Sequence, residues 1–401
     1  MKRVIVTGII IIAFLIIGTG IAIFYARGYR IVPKNGSASV AGTGLLVLTS
    51  KPDAAKVYIN DQISTATNST ISLSPGDYDV KIVKDGYFAW DKKITIKKEV
   101  VSRADALLFP VAPVLESITT TGAQNPILDS TGSLIAYTVS SASAQYNGIY
   151  VLDMNSKPIL NIGGASLQIA DESSIDFTNA ILEFSPDGSN ILATVPVGPT
   201  SVSYLLSAKS FNNSYQDVTP TVSQLRQTWE KQKEEKINKL IVDQPNKLKN
   251  LINQDFKNPS FSLEQDKILY EASISATMPV LINPRIIGAD PTPEDRNIKQ
   301  GNIYVYDIKE DRNYLIFDKS TLLGDKNPPK FIWHPDSSHL IFIKDRKINI
   351  TEYDGQNTTN VYSGPFIDNF VFPWIDGNSI VILTSLNSDQ APVNLYKIIL
   401  K

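Results

Sequence analysis

The stretch Phe184-Ser185-Pro186-Asp187-Gly188, followed by the apolar run Ile191-Leu192-Ala193-Thr194-Val195, decides how most of this chain folds. Pro186 presets φ for the second position of a tight turn, Asp187 can bond the local backbone, and Gly188 accepts a left-handed conformation, so one strand ends here and another begins. The pattern recurs four more times. Leu128 to Gly132 stands before SLIAYTV, Phe261 to Gln265 before DKILYEA, Trp333 to Ser337 before SHLIFIK, and Pro373 to Gly377 before NSIVILT. Gly132, Pro335, Asp336, Asp376 and Gly377 hold the equivalent turn positions. A further strand follows in each unit (GIYVLDM, VSYLLSA, NIYVYDI, KINITEY, VNLYKII), and a weaker fourth is readable as KPILNIG, YLIFDK or TNVYSG. Each unit therefore predicts a four-stranded antiparallel blade, and starts about 40 residues apart, where nothing is inserted, are a normal blade spacing.

The Phe-Ser-Pro-Asp-Gly block resembles the inner-hairpin turn of TolB-like and WD-repeat-like β-propellers, over residues 110–401. The last unit ends at the chain terminus after its third strand, while Pro113 to Thr121 (PVLESITTT) is a spare strand ahead of the first unit. That spare strand is expected to complete the last blade and close the ring, giving five blades, with six as the alternative. Residues 219–257 interrupt the pattern: Thr219 is a candidate cap, Pro220 suits a first helical position, and Pro245 opens a second helix. A helical hairpin is expected on the rim opposite the Pro-Asp-Gly turns, joined there by the loops Pro279 to Lys299 and Gly163 to Thr178. Loops on a rigid scaffold commonly carry function, so Trp229, Arg285, Asp290 and Glu294 are the candidate binding rim.

Toward the N-terminus, Val4 to Tyr25 reads VIVTGIIIIAFLIIGTGIAIFY, without a charge and apolar all round. Such a run predicts a membrane-spanning helix, with Val4, Ile10, Phe14, Ile17, Ile21 and Tyr25 facing the lipid bilayer. The exit Ile23-Phe24-Tyr25-Ala26-Arg27 lacks a small-x-small cleavage site, which favours an uncleaved anchor over a signal peptide. Residues 26–44, rich in small residues and glycine, read as a flexible tether. From 45 to 109 short alternating strands follow: LLVLTS, KVYIN, STISLS, YDVKIVK, KKITIKK and SRADALLF. Ser50-x-Pro52, Ala54-Ala55 before Val57-Tyr58-Ile59, Leu73-x-Pro75-Gly76-x-Tyr78-x-Val80 and Lys84-x-Gly86-Tyr87 resemble the PEGA domain, a small all-β surface module. The resemblance implies a noncatalytic extracytoplasmic β-sandwich, and hence a cytoplasmic tip at residues 1–3 with the bulk of the chain outside.

Composition narrows the chemistry. With no Cys and only His334 and His339, thiol catalysis, disulfides, iron–sulfur clusters and most transition-metal sites are not expected. Charges of 38 Lys+Arg against 40 Asp+Glu, net −2, argue against nucleic acid as a partner. No phosphate loop, His-Glu-x-x-His, nucleophile elbow or EF-hand spacing occurs, so no cofactor, metal or catalytic residue is assigned. His334 takes the turn slot that Ser185 holds, and Trp333 and Trp374 read as packing residues at strand ends. The reading is a mostly β, single-pass, membrane-anchored envelope protein of a bacterium: a PEGA-like module and a propeller at 110–401 that bind or scaffold an envelope protein or glycan. The enzymatic alternative is a cell-wall glycan hydrolase, which needs two carboxylates about 5–9 Å apart in the tunnel. Asp171, Glu172 and Asp176, or Glu264 and Glu271, are its candidates.

Overall fold

The computed structural model describes residues 2–26, 29–34, 37–140, 143–155, 166–322, 328–367, 369–386 and 392–401. It divides into two compact units, the first comprising 1–111 with 282–294 and 310–312, the second the remainder.

In the first unit, helix α1 runs from Lys2 to Ala26. Ile10, Phe14, Ile17 and Ile21 are exposed on it, Phe14 by 78%. The side chains of Val4 and Tyr25 lie outside the described residues. Among the described residues, which on α1 give side chains only from Thr7 to Ile23, no helix is long and apolar enough to cross a membrane. The segment read as a flexible tether is instead largely a hairpin, Tyr29–Lys34 pairing antiparallel with Ser37–Gly42. Its β-branched residues Ile31, Val32 and Val40, with Asn35-Gly36 between the strands in sequence, carry that preference.

Beyond it stand two sheets. Gly44–Lys51 lies between Ser69–Leu73, antiparallel, and Val101–Leu107, parallel. The second sheet has the order Gln62–Ala66, Lys56–Ile59, Gly76–Val83, Trp90–Ile96. Alternation sends Leu46, Leu48, Val57, Val80, Ile82, Trp90, Ile94 and Ile96 into one core between them.

Residues 282–294 belong to this unit, which corrects the expectation that Arg285, Asp290 and Glu294 form a propeller rim. Lys92 Nζ lies 2.9 Å from Asp290 Oδ2, with the side chains only 10% and 12% exposed. Arg285 reaches Glu294 at 2.5 Å and Asp311 at 3.2 Å, and the Asp290 backbone N–H donates to Glu310 at 2.8 Å. Burial pushes the Asp290 carboxyl up in pKa, but the Lys92 ammonium and the Thr292 backbone N–H outweigh it and hold the group below its ordinary value.

The second unit contains five four-stranded antiparallel sheets, the arrangement of a β-propeller. From the innermost strand outward, the first is Gln124–Leu128, Leu134–Val139, Gly148–Asp153, Ser166–Asp171, and the second Ile181–Phe184, Asn190–Val197, Thr200–Ser207, Gln216–Asp217. The third is Phe256–Phe261, Lys267–Ala272, Ile303–Asp307, Arg312–Phe317, and the fourth Phe331–Trp333, His339–Lys344, Lys347–Glu352, Thr359–Tyr362. The fifth has three C-terminal strands, Val371–Pro373, Ser379–Thr384 and Asn394–Ile399, and is completed by Val114–Ser117 in the register Val114↔Ile399 to Ser117↔Tyr396. The spare N-terminal strand thus takes its expected place. The second unit has no sixth four-stranded sheet among its described residues, and KPILNIG, read as an outer strand, falls outside them.

Among the described residues no sheet closes on itself; neighbours meet through side chains. Ala136, Ile149 and Val151 of the first sheet pack on Leu182, Ile191 and Ala193 of the second, while Ile135, Tyr137 and Leu152 pack on Val381, Leu383 and Leu395 of the fifth. Leu269 and Val305 of the third sheet meet Leu340 of the fourth. Between the second and third sheets lies the helical hairpin, α2 (Val222–Val242) and α3 (Asn246–Asp255). Trp229 and Leu225 cover Leu192, Leu205 and Val218 of the second sheet's region, whereas Ile241, Leu248, Leu251 and Ile252 pack on Ile268, Tyr270 and Tyr304 of the third.

The hairpin therefore does not stand on one rim. At about 1.5 Å per residue α2 is roughly 30 Å long, starts where the second sheet ends at Asp217, and brings Lys236 to the Pro186 carbonyl of the opposite turn. Its entry also differs from expectation: Thr219 and Pro220 form a short 3-10 turn, and α2 begins after Thr221.

Two outcomes follow. Trp229 is 7% exposed, so Trp229→Ala should lower unfolding stability by about 3–5 kcal/mol; a change within about 0.5 kcal/mol, as for a surface site, would mean that the hairpin is not wedged between sheets. Asp290→Asn removes the buried carboxylate charge 2.9 Å from Lys92 Nζ and should destabilise the first unit by about 3–5 kcal/mol. Because the Asp290 pKa is depressed on folding, its contribution is full above the unfolded carboxyl value of about 3.9 and falls away as pH drops through the folded value; denaturant titrations from pH 7 downward should show the variant and parent converging in acid.

Candidate functional site

The innermost strands of the first, third, fourth and fifth sheets enclose a cavity of about 750 Å³. Each of these strands has one sheet neighbour and turns its other edge inward. Ile127, Phe261, Phe331, Trp333, Phe370 and Phe372 make much of the wall, with Lys330 as its cation. Trp333 is held in place by its indole N–H, which donates to the Ser260 carbonyl at 2.9 Å. Trp374 packs between sheets instead, with Lys397 Nζ 3.9 Å from its ring centroid. Asp129 is the carboxylate among the cavity's lining residues, and its two oxygens accept from the backbone N–H groups of Thr131, Ser133 and Leu134.

The hydrolase candidates lie elsewhere. Asp171 accepts from the Tyr215 hydroxyl, Glu172 and Asp176 serve Thr178, and Glu271 pairs with Lys257 at 3.2 Å. Glu264 is exposed 3.9 Å from Lys309. None of these five residues lines the cavity.

The repeated turns gather at one end of that cavity, where Gly132, Leu263, His334, Pro335 and Ile375 contribute to its lining. Gly188 and Gly377 take left-handed φ of +70° and +67°, a region that penalises a Cβ. Asp187, Asp336 and Asp376 each accept from the backbone N–H two residues on. The Ser185 hydroxyl and then the Ser189 groups hold Asp187 down at a pKa of about 2. Neighbouring turns are also tied to each other. Ser130 Oγ donates to the Pro186 carbonyl at 2.7 Å, the Glu264 backbone N–H to Ser337 Oγ at 2.9 Å, and His334 Nε2 lies 3.0 Å from the Gly377 carbonyl. In the fourth turn, burial opposes ionisation of Asp336, but His334 and His339 hold its pKa far below the carboxylate range. Burial likewise opposes the charged form of His339, and Asp336 outweighs it to raise that pKa.

Of the residues singled out by sequence, the turns converge at the cavity mouth or against one another, whereas Trp229 is core and Arg285, Asp290 and Glu294 are engaged within the first unit. The cavity-lining aromatics were not singled out as a site. Their signal was the aromatic residues just before the third, fourth and fifth turns, Phe261, Phe331-Ile332-Trp333 and Phe370-Val371-Phe372, which equally fit packing.

Residues 43–109 match the PEGA domain, in agreement with the module read from sequence. No curated protein matches the chain. Among solved structures, a putative TolB from Agrobacterium tumefaciens is similar at 13% identity and a TM-score of 0.23, covering 70% of this chain and 82% of that one. TolB from Acinetobacter baumannii is similar at 12% identity and 0.23, covering 92% of this chain and 65% of that one. The β-propeller domain of the Trilobed protease from Pyrococcus furiosus is similar at 11% identity and 0.22, covering 89% and 95%. The chain thus carries a PEGA domain at 43–109 ahead of a β-propeller.

Proposed function

We propose that this chain is a membrane-anchored envelope protein whose propeller binds an extended segment of a partner protein in its central cavity. The observation that carries the reading is the aromatic wall built by Phe331, Trp333 and Phe372 on strands that present free edges inward. Apolar pockets beside an unpaired strand edge suit a peptide, whose backbone can extend the ladder while alternate side chains fill the pockets. A glycan needs more free polar groups than this wall offers, since Asp129 is committed to its own turn. The PEGA domain supports the envelope address, and the uncharged run Val4 to Tyr25 on α1 supports anchoring in a bilayer with the two β units outside the cell.

Photo-crosslinking in intact cells tests the binding reading. A benzophenone amino acid at Phe372 should capture a discrete protein, whereas the same group at exposed Lys209 should not, and Trp333→Ala should abolish the capture. Equal capture from both positions, or glycan-only adducts at 372, would contradict it. For the address, the full chain should resist carbonate extraction from membranes and be released when residues 1–26 are deleted; release of the intact chain would contradict anchoring.

A further inference from the structure

The two histidines of the chain meet in the turn of the fourth sheet, and their proton arrangement does not close. His334 is fully buried. Its Nε2 lies 3.0 Å from the Gly377 carbonyl, which can only accept, so Nε2 carries a proton. Its Nδ1 receives the Asp336 backbone N–H at 3.3 Å and must therefore present a lone pair. Yet the same Nδ1 lies 3.0 Å from Asp336 Oδ1, also an acceptor. With its proton on Nε2, His334 sets two lone pairs against each other; a proton on Nδ1 would forfeit the bond from Asp336 N–H, a proton on the Asp336 carboxyl would give up its charge, and a cation shared by the two atoms removes the clash.

The equivalent position in the second sheet shows why the conflict is particular to histidine. There the Ser185 hydroxyl donates to Asp187 Oδ1 at 2.5 Å and accepts the Asn190 backbone N–H at 2.9 Å. A hydroxyl does both at once; an imidazole nitrogen does one.

Two further observations point to a cation. His339 Nδ1 stands 2.8 Å from the other Asp336 oxygen, so one atom from each of His334, Asp336 and His339 falls within 4.8 Å of the others. Glu352, the register partner of His339 on the next strand, is a second buried carboxylate beside them. We propose that His334 Nδ1, the Asp336 carboxylate and His339 Nδ1 form a binding site for a divalent transition-metal ion of the zinc class. Two imidazole nitrogens and one carboxylate oxygen are the donor set such ions take, and a metal at His334 Nδ1 takes that nitrogen's single lone pair in place of the Asp336 N–H bond. The Asp336 side chain, one third exposed, gives the ion its entry and leaves a coordination position for water. Bound there, the ion would pin the fourth turn to the fifth through the His334–Gly377 contact.

The full chain, purified in detergent without a histidine tag and stripped with EDTA, should be titrated with Zn²⁺ alone. One ion per chain should bind, raise the thermal midpoint, and shift the nitrogen-15 signals of both histidines at one equivalent. With two histidines in the chain, a histidine-labelled sample reads the site directly. Asp336→Asn and His339→Gln should each weaken binding by at least about tenfold. Because either variant can disturb the turn, the parent protein decides. A His334 signal that Zn²⁺ leaves unmoved, or binding that survives Asp336→Asn, would overturn the site.

Discussion

The fifth sheet contains only three C-terminal strands of its own, and everything else in the propeller depends on where its fourth comes from. Val114–Ser117 supplies it, so a ladder of backbone hydrogen bonds joins the start of the second unit to its end. Without that ladder the Asn394–Ile399 strand would be an open edge, and the packing of the first sheet on the fifth would have no covalent neighbour to hold it in register. A chain with no cysteine has no disulfide to perform the same task.

Ring closure in turn explains the helical hairpin. Five sheets must cover one another's faces in sequence, and the second and third do so through α2 and α3. The apolar face of the second sheet that carries Leu192 and Leu205 meets Trp229, and the aromatic face of the third that carries Tyr270 and Tyr304 meets Leu248, Leu251 and Ile252. The insertion is a structural wedge. It fills the space between those two sheets, while the cavity is walled by the inner strands of the first, third, fourth and fifth sheets.

Much of this was legible because strand alternation and Pro-Asp-Gly turn chemistry are local signals. The five hairpins, the closing strand and the PEGA strands followed from them, since each needs only a short window of residues. Gln62–Ala66 escaped notice because it carries a single large apolar residue, Ile63, and that residue is exposed. Arg285, Asp290 and Glu294 looked like a free rim because a polar loop in sequence gives no hint of partners some 200 residues away, such as Lys92. The same limitation hid the cavity. Trp333 reads as a packing residue until four inner strands are brought together, and the conflict at His334 appears only when Gly377 is placed beside it.

The first strand of the second unit pairs with its last, and that pairing closes the propeller. Glu116 and Lys397 are register partners, and antiparallel partners lie about 4.5–5.5 Å apart at Cα, within disulfide range. In a chain free of other thiols, Glu116→Cys with Lys397→Cys should form one intramolecular disulfide under mild oxidation and raise the thermal midpoint relative to the reduced protein. Failure to form the bond, or bonds formed only between molecules, would contradict the closure of the fifth sheet by Val114–Ser117.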